Sequence, residues 1–395
     1  MRILFLCSSL EEGRDGVGDY TRLLATECVR QGHPCALIAI HDRQIGEASE
    51  MSIPAVREGM PTLRLPATMN WRERISVASA FRVRFQPDWV SLQFVPYGFD
   101  NKGLVWKLGR HLTAIIGLVP LHIMFHELWI GADRTASLKN RVVGVIQRRL
   151  IVRASRELEP VAVSTSNGAY IAMLRKEGIS ASYLPLFGNV PIVETPEHDW
   201  LYARCAAQGL GLTPENRSDF WIFGIFAGLH SNWPPEPLFT VLRNAAVPLG
   251  KRLIIAIAGR LASGGEHLWE QLIQTYNGKL GFLKLNEQPA ERLSEYLQWI
   301  DCGIATSPWE LVGKSGSTAA MLEHGLPVIV NRCDSVLKAG SNGETNVDPL
   351  LHKVDDTLKA KLVAGLQKGA PTCRVPSITT EFIEQLQKAS ASAIA

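Results

Sequence analysis

Apolar and polar positions along this chain alternate in blocks. Short runs that are apolar on both faces, at 2–7, 35–40, 88–94, 120–125 and 161–164, are too short for helices and predict buried parallel strands. Between them lie stretches with apolar residues three and four apart, predicting helices over 19–31, 76–85, 104–116, 138–155 and 167–176. Gly32 and Gly178 close the first and last of these, as glycines just past a helix do. Strand and helix in turn is the pattern of βα units feeding a parallel sheet.

The pattern breaks at Pro185, Gly188, Asn189, Pro191 and Pro196, a connector followed by a helix at 200–208. It then restarts, with strands at 221–226, 252–258, 281–285, 302–305 and 327–330 and helices at 236–246, 267–276, 289–298 and 319–324. The expectation is an α/β chain of two doubly wound, Rossmann-like domains, 1–190 and 191–375. The tail at 376–395 places Phe382, Ile383 and Leu386 at helical spacing and is expected to return to the N-terminal domain.

Composition narrows the class. With 395 residues, 46% hydrophobic and 20% charged, the chain is globular and too long for one ordinary core. A net charge of +3 without a Lys/Arg-rich run argues against nucleic acid as a partner. The seven cysteines are odd in number and scattered without metal-type pairing, which suits thiols in a reduced cytoplasm. The apolar start lacks a cleavage signature, and the longest apolar stretch, 112–125, contains Pro120 and His122 and is too short to span a bilayer. A cytoplasmic chain with no transmembrane segment is expected. Arg148, Arg149 and Arg153 leave peripheral contact with an anionic membrane as one reading and a solvated helix face as the other.

The most informative motif runs from Ser307 to Val330. Ser315, Gly316, Ser317 and Thr318 place backbone N–H groups and hydroxyls at the first turn of a helix, where the unpaired amides and the helix dipole favour an anion, and Lys314 adds a positive charge. Gly313-Lys314-Ser315 imitates the end of a P-loop, but the position five before Gly313 is Pro308 where that loop needs glycine. A tight strand-to-helix turn using Gly and Ser for geometry alone is the competing reading.

Several segments in order carry a resemblance. Arg2-Ile-Leu-Phe-Leu, then Gly16-Val-Gly-Asp-Tyr-Thr-Arg-Leu-Leu-Ala25 and Gly32-His33, resemble the opening strand, glycine loop and first helix of the GT-B glycosyltransferases, in particular their GT4-like branch. Asp88-Trp-Val-Ser-Leu-Gln-Phe-Val-Pro-Tyr97, Phe125-His-Glu-Leu-Trp129, Val161-Ala-Val-Ser-Thr-Ser166 and Leu184-Pro-Leu-Phe-Gly-Asn-Val-Pro191 resemble later strand ends of the same family, so that the likeness covers nearly the whole chain.

This resemblance implies two domains facing a cleft, and transfer of a sugar from a nucleotide-diphosphate sugar to a saccharide, lipid-linked or other hydroxyl acceptor, by retention. It implies neither a cofactor nor an obligatory metal, and no Asp-x-Asp signature stands at an expected cleft position. In the donor-side domain the helix start at Lys314, Ser315, Gly316, Ser317 and Thr318 is expected to hold the diphosphate in a way unlike the family's usual contacts, with Arg260 as a further neutralising charge, while the resemblance implies backbone near Leu285 and Asn286 beside the nucleotide base. In the other domain Gly16 and Gly18 let backbone approach the donor, His126 resembles the histidine that contacts the transferred sugar, and Asp19 and Glu127 are the candidate bases. Each has a plainer reading: turn glycines, a helix cap at Asp19, a satisfied histidine, a surface arginine.

The sequence departs from the family at two glutamates, whose positions hold Val312 and Ala320 here, with Glu310 and Glu323 nearby but out of register. The usual Gly-Arg pair is Gly228-Leu229. An inactive nucleotide- or sugar-binding protein of the same fold is therefore the alternative. A dinucleotide oxidoreductase is disfavoured, because Thr21 stands where the fingerprint's third glycine belongs.

Overall fold

A computed structural model describes residues 1–54, 59–133, 136–332 and 348–394. The chain divides into two compact units. One comprises Met1–Leu186 with the chain from Val375 onward; the other comprises the described residues of 187–332 and 348–374.

The first unit begins with β1 (Ile3–Cys7), α1 (Gly16–Arg30) and β2 (Cys35–Asp42). It continues through β3 (Ser49–Ile53), β4 (Met60–Pro66), α2 (Trp71–Phe85), β5 (Trp89–Phe94), α3 (Pro96–Phe99) and α4 (Leu108–Ile116). Then follow β6 (Leu121–Phe125), α5 (Leu138–Leu158), β7 (Ala162–Thr165), α6 (Gly168–Lys176) and β8 (Ser182–Tyr183). Among the described residues these strands form an eight-stranded sheet in the order β3-β4-β2-β1-β5-β6-β7-β8, parallel throughout except that β3 runs antiparallel to β4 at the edge. Every residue of β1, β5 and β6 is buried, as strands covered by helices on both faces must be.

The second unit has α7 (Asp199–Ala207), β9 (Phe220–Phe226), α8 (Leu238–Ala246), β10 (Arg252–Ala258), α9 (Ser263–Thr275), β11 (Gly281–Asn286) and α10 (Ala290–Trp299). After these come β12 (Cys302–Pro308), α11 (Gly316–Glu323), β13 (Val328–Arg332), β14 (Leu351–Lys353) and α12 (Leu358–Ala364). Its sheet, six-stranded among the described residues, has the order β11-β10-β9-β12-β13-β14, all parallel. Alternate residues of the same strands feed two cores. Ile222, Ile254 and Val328 pack on one face; Phe223, Ile255 and Ile329 pack on the other.

The last helix, α13 (Val375–Ile394), packs on the first unit. Phe382 sits 5.8 Å from the Phe5 ring and 5.3 Å, edge-on, from His122, and Leu386 is fully buried. Gln31 Nε2 donates to the Pro376 carbonyl at 2.9 Å and Trp89 Nε1 to Ser390 Oγ at 3.2 Å, so polar groups along the helix also have partners there.

Candidate functional site

In each sheet the strand order reverses at one point, and open α/β sheets bind ligands beyond the carboxyl ends of the strands at that crevice. In the second unit the reversal lies between β9 and β12. β12 ends at Pro308, the chain makes a 3₁₀ turn over Trp309–Lys314, and Ser315 caps α11. Ser315 Oγ accepts from the Thr318 amide at 3.2 Å and from Thr318 Oγ1 at 3.0 Å, and lies 3.0 Å from Ser317 Oγ. The cap therefore uses the third first-turn amide and leaves those of Gly316 and Ser317 outside it. Among the described residues a Cβ added at Gly316 would meet no packed neighbour within 4 Å, so packing by them does not demand glycine there. Gly228, in the loop after β9, is equally open, and Thr306 Oγ1 donates to its carbonyl at 3.0 Å, joining the two sides of the crevice.

The other donor-side residues gather on the far side of β9. Gly259 N donates to the Asn286 carbonyl at 2.8 Å, which brings the ends of β10 and β11 together. Asn286 has a φ of +57°, Leu285 is buried with its carbonyl accepting from Gln288 Nε2 at 2.5 Å, and Arg260 pairs with Glu287 on an exposed surface. Arg260 thus has a carboxylate partner, in a solvent-exposed pair that an anionic ligand could displace at little cost. Gly259 is required where it is: its φ is +119° and an added Cβ would lie 2.8 Å from the Ala227 Cα.

The positions where the resemblance reserves acidic groups are unlike the family. Ala320 is fully buried, and a Cβ on Gly188 would come within 2.6 Å of its Cα. Glu323, at the far end of α11, is 2% exposed. Burial pushes its pKa up to about 7, opposed by the Gly188 and Arg374 amides and the Arg374 charge.

In the first unit the reversal lies between β1 and β5. The cap of α1 is Asp15, not Asp19: the Asp15 carboxylate accepts from the amides of Val17 at 2.9 Å and Gly18 at 3.2 Å. The expected start at residue 19 is three residues late, because Gly16-Val17-Gly18 already lie in the helix. Asp19 Oδ1 instead accepts from the Gly13 amide at 3.1 Å and from Arg22 at 2.6 Å. Of the two glycines, Gly18 is packed, since a Cβ would stand 2.6 Å from the Ser9 carbonyl oxygen, while among the described residues a Cβ on Gly16 would meet no packed neighbour within 4 Å.

The loop after β1 is held by a group the sequence did not flag. Asp42, at the end of β2 and fully buried, accepts from Ser9 Oγ at 3.1 Å and from Arg64 Nε at 2.8 Å, and Arg64 also reaches Glu11 at 2.6 Å. Burial would raise the Asp42 pKa; the Arg64 hydrogen bond and charge, with the Gln44 and Leu10 amides, hold it below the usual value.

His126 and Glu127 follow β6 directly. His126 is buried edge-on against Tyr20, 4.9 Å between ring centroids, with Nε2 2.9 Å from Gln93 Oε1, and burial pushes its pKa down to about 3. Glu127 beside it is half-buried. The structure thus brings Tyr20 of the first helix to His126. Gln93 was missed as its partner, although an amide inside the apolar strand 88–94 was itself a signal. Among the described residues no three His, Cys, Asp or Glu side chains cluster as a metal site, and no helix is long and apolar enough to cross a membrane.

No protein-family model matches the sequence, and no curated protein resembles it in sequence. Solved structures do match its fold. The Anabaena protein HepE, solved with UDP, aligns over 100% of both chains with a TM-score of 0.55 at 14% identity. The fold is that of the GT-B glycosyltransferases. An α,α-trehalose 6-phosphate synthase from Burkholderia multivorans matches the same GT-B architecture over 99% of both chains, with a TM-score of 0.55 at 10% identity. The catalytic domain of starch synthase IV from Arabidopsis thaliana, bound to ADP and acarbose, does so over 99% of both chains, with a TM-score of 0.53 at 12% identity. At such identities the likeness is one of fold.

Proposed function

We propose that the chain transfers a sugar from a nucleotide-diphosphate sugar to a hydroxyl acceptor, with the diphosphate on the first turn of α11. The observation that carries this is the Ser315 cap: it orders the turn while leaving the Gly316 and Ser317 amides outside the cap, next to an open glycine at the switch point. HepE, of the same fold, is solved with UDP and with UDP and glucose, which supports a nucleotide as the ligand class. Amides, hydroxyls and Lys314 supply the positive field that a leaving diphosphate needs, so turnover is expected to persist in chelator.

On the first unit, His126 offers a neutral imidazole to a sugar hydroxyl, and Glu127 is the carboxylate beside it. Asp19 is engaged by Gly13 and Arg22. That supports retention, in which the leaving diphosphate rather than a side-chain base takes the acceptor proton. A panel of nucleotide sugars with assay of released nucleotide tests the reading, and NMR of the product anomer tests the stereochemistry.

The buried Ala320 at a family glutamate position favours a second reading, a nucleotide-sugar-binding protein without turnover. Donor binding without release of nucleotide across a broad acceptor panel would select it.

A further inference from the structure

A line of buried polar side chains runs from His126 across β5, β6 and β7 to the terminal helix. Ser91, Gln93, His122 and Ser164 are each at most 1% exposed, and the Phe382 ring covers His122. Buried groups of this kind must satisfy one another, so their protons can be counted.

The count starts at Gln385 on α13. Its Nε2 donates to the Tyr183 carbonyl at 2.9 Å and, more weakly, to Glu381 at 3.4 Å. A backbone carbonyl only accepts, so the amide orientation is fixed and Oε1 is left to Ser164 Oγ, 2.8 Å away. Ser164 has one hydroxyl proton, and Gln385 takes it. The 3.1 Å contact from His122 Nε2 must then be a donation from His122.

Burial drives the His122 pKa down to about 3, with the neighbouring His126 acting in the same direction, so the ring is neutral and its Nδ1 holds a lone pair. Ser91 Oγ donates to that nitrogen at 2.9 Å. With its own proton used, Ser91 accepts from Gln93 Nε2 at 2.8 Å, which turns Gln93 Oε1 toward His126 Nε2 at 2.9 Å. An amide oxygen only accepts, so His126 donates from Nε2.

We propose that Gln385 is a positioning residue for His126: through five consecutive hydrogen bonds it fixes the imidazole as the Nε2–H tautomer, so that Nδ1 presents a lone pair to any ligand. Without Gln385 the same groups could all reverse, Ser164 donating to His122 Nε2 and the rest following, until His126 carried its proton on Nδ1. One amide on the terminal helix removes that degeneracy. The further consequence, that His126 accepts a hydroxyl proton of a bound sugar, rests on the transferase reading; the tautomer does not.

The test is ¹⁵N NMR of the imidazoles in the full chain labelled at histidine, without ligand. Pyridine-type Nδ1 and pyrrole-type Nε2 are expected for both His122 and His126. In Gln385→Leu both rings should lose tautomeric purity together, and Gln385→Glu, which still presents an oxygen to Ser164, should restore them. Gln93→Met should alter His126 while sparing His122. Should Gln385→Leu not fold, Ser164→Ala cuts the same link. An Nδ1–H tautomer at His126 in the unmodified chain overturns the proposal, as do His122 and His126 signals unmoved by loss of the Gln385–Ser164 link. Failure of the transferase reading would show as no nucleotide released from any donor, and would leave these imidazole signals as they are.

Discussion

Replacing Glu323 by Gln should remove a pH dependence of stability that the native chain carries. The side chain is 2% exposed and its pKa rises from 4.5 to about 7, first because burial disfavours the charged form. The folded pKa lies above the unfolded one, so the folded state holds the proton more tightly, and the stabilisation is complete below 4.5 and lost as pH rises through about 7. At about 1.36 kcal/mol per pH unit, the difference amounts to about 3 kcal/mol between pH 4 and pH 8. The neutral amide cannot titrate. It also leaves an Nε2 in place of an Oε1 that has no hydrogen-bond partner among the described residues, so the pH slope, not the absolute stability, is the quantity to compare. Urea unfolding followed by tryptophan fluorescence, with Trp299 and Trp309 reporting on this unit, should show the native chain losing about 3 kcal/mol relative to Glu323→Gln across that range. Parallel pH profiles for the two proteins would show that Glu323 does not bind its proton more tightly in the folded state.

Other substitutions separate packing from ligand contact. Gly18→Ala drives a Cβ into the Ser9 carbonyl and should cost about 1–3 kcal/mol in chemical denaturation, whereas Gly16→Ala meets no neighbour and should leave stability within about 0.5 kcal/mol. Ser315→Ala removes the α11 cap and should cost about 1 kcal/mol while weakening nucleotide binding, read by thermal unfolding with and without nucleotide. Under retention, Asp19→Asn and Glu127→Gln should each slow transfer by less than about 100-fold; a larger loss in either, measured as kcat, would identify a side-chain base and require inversion.

What the sequence disclosed depended on whether local pattern or distant contact sets each feature. β1 is apolar at every position and β5 at four of six, and both were legible within a residue of their observed bounds. The edge hairpin β3–β4 was not, since Ser49–Ile53 is mostly exposed and polar and has no buried face to impose a period of two. α2 begins at Trp71, five residues before its apolar spacing becomes clear, because Asn70 caps it through the Glu73 amide at 3.0 Å. The capped turn at Ser315 was readable because its residues are contiguous. The Asp42–Arg64 clamp spans 22 positions and the chain from Gln385 to His126 includes a link across 221, and nothing local marks them apart from polar residues in apolar strands.

Nucleotide-sugar binding at the first turn of α11 is the property from which the proposed transfer follows. A Cβ at Gly316 meets open space among the described residues, so Gly316→Val is expected to obstruct a phosphate rather than a packed neighbour. Isothermal titration of the native chain with UDP- and ADP-sugars should find at least one donor that binds. The same donor should bind Gly316→Val at least about 10-fold more weakly, a loss of about 1.4 kcal/mol, while the thermal unfolding midpoint without ligand stays unchanged. A native chain that binds no nucleotide sugar, or a Gly316→Val chain that binds it equally well, would contradict the account.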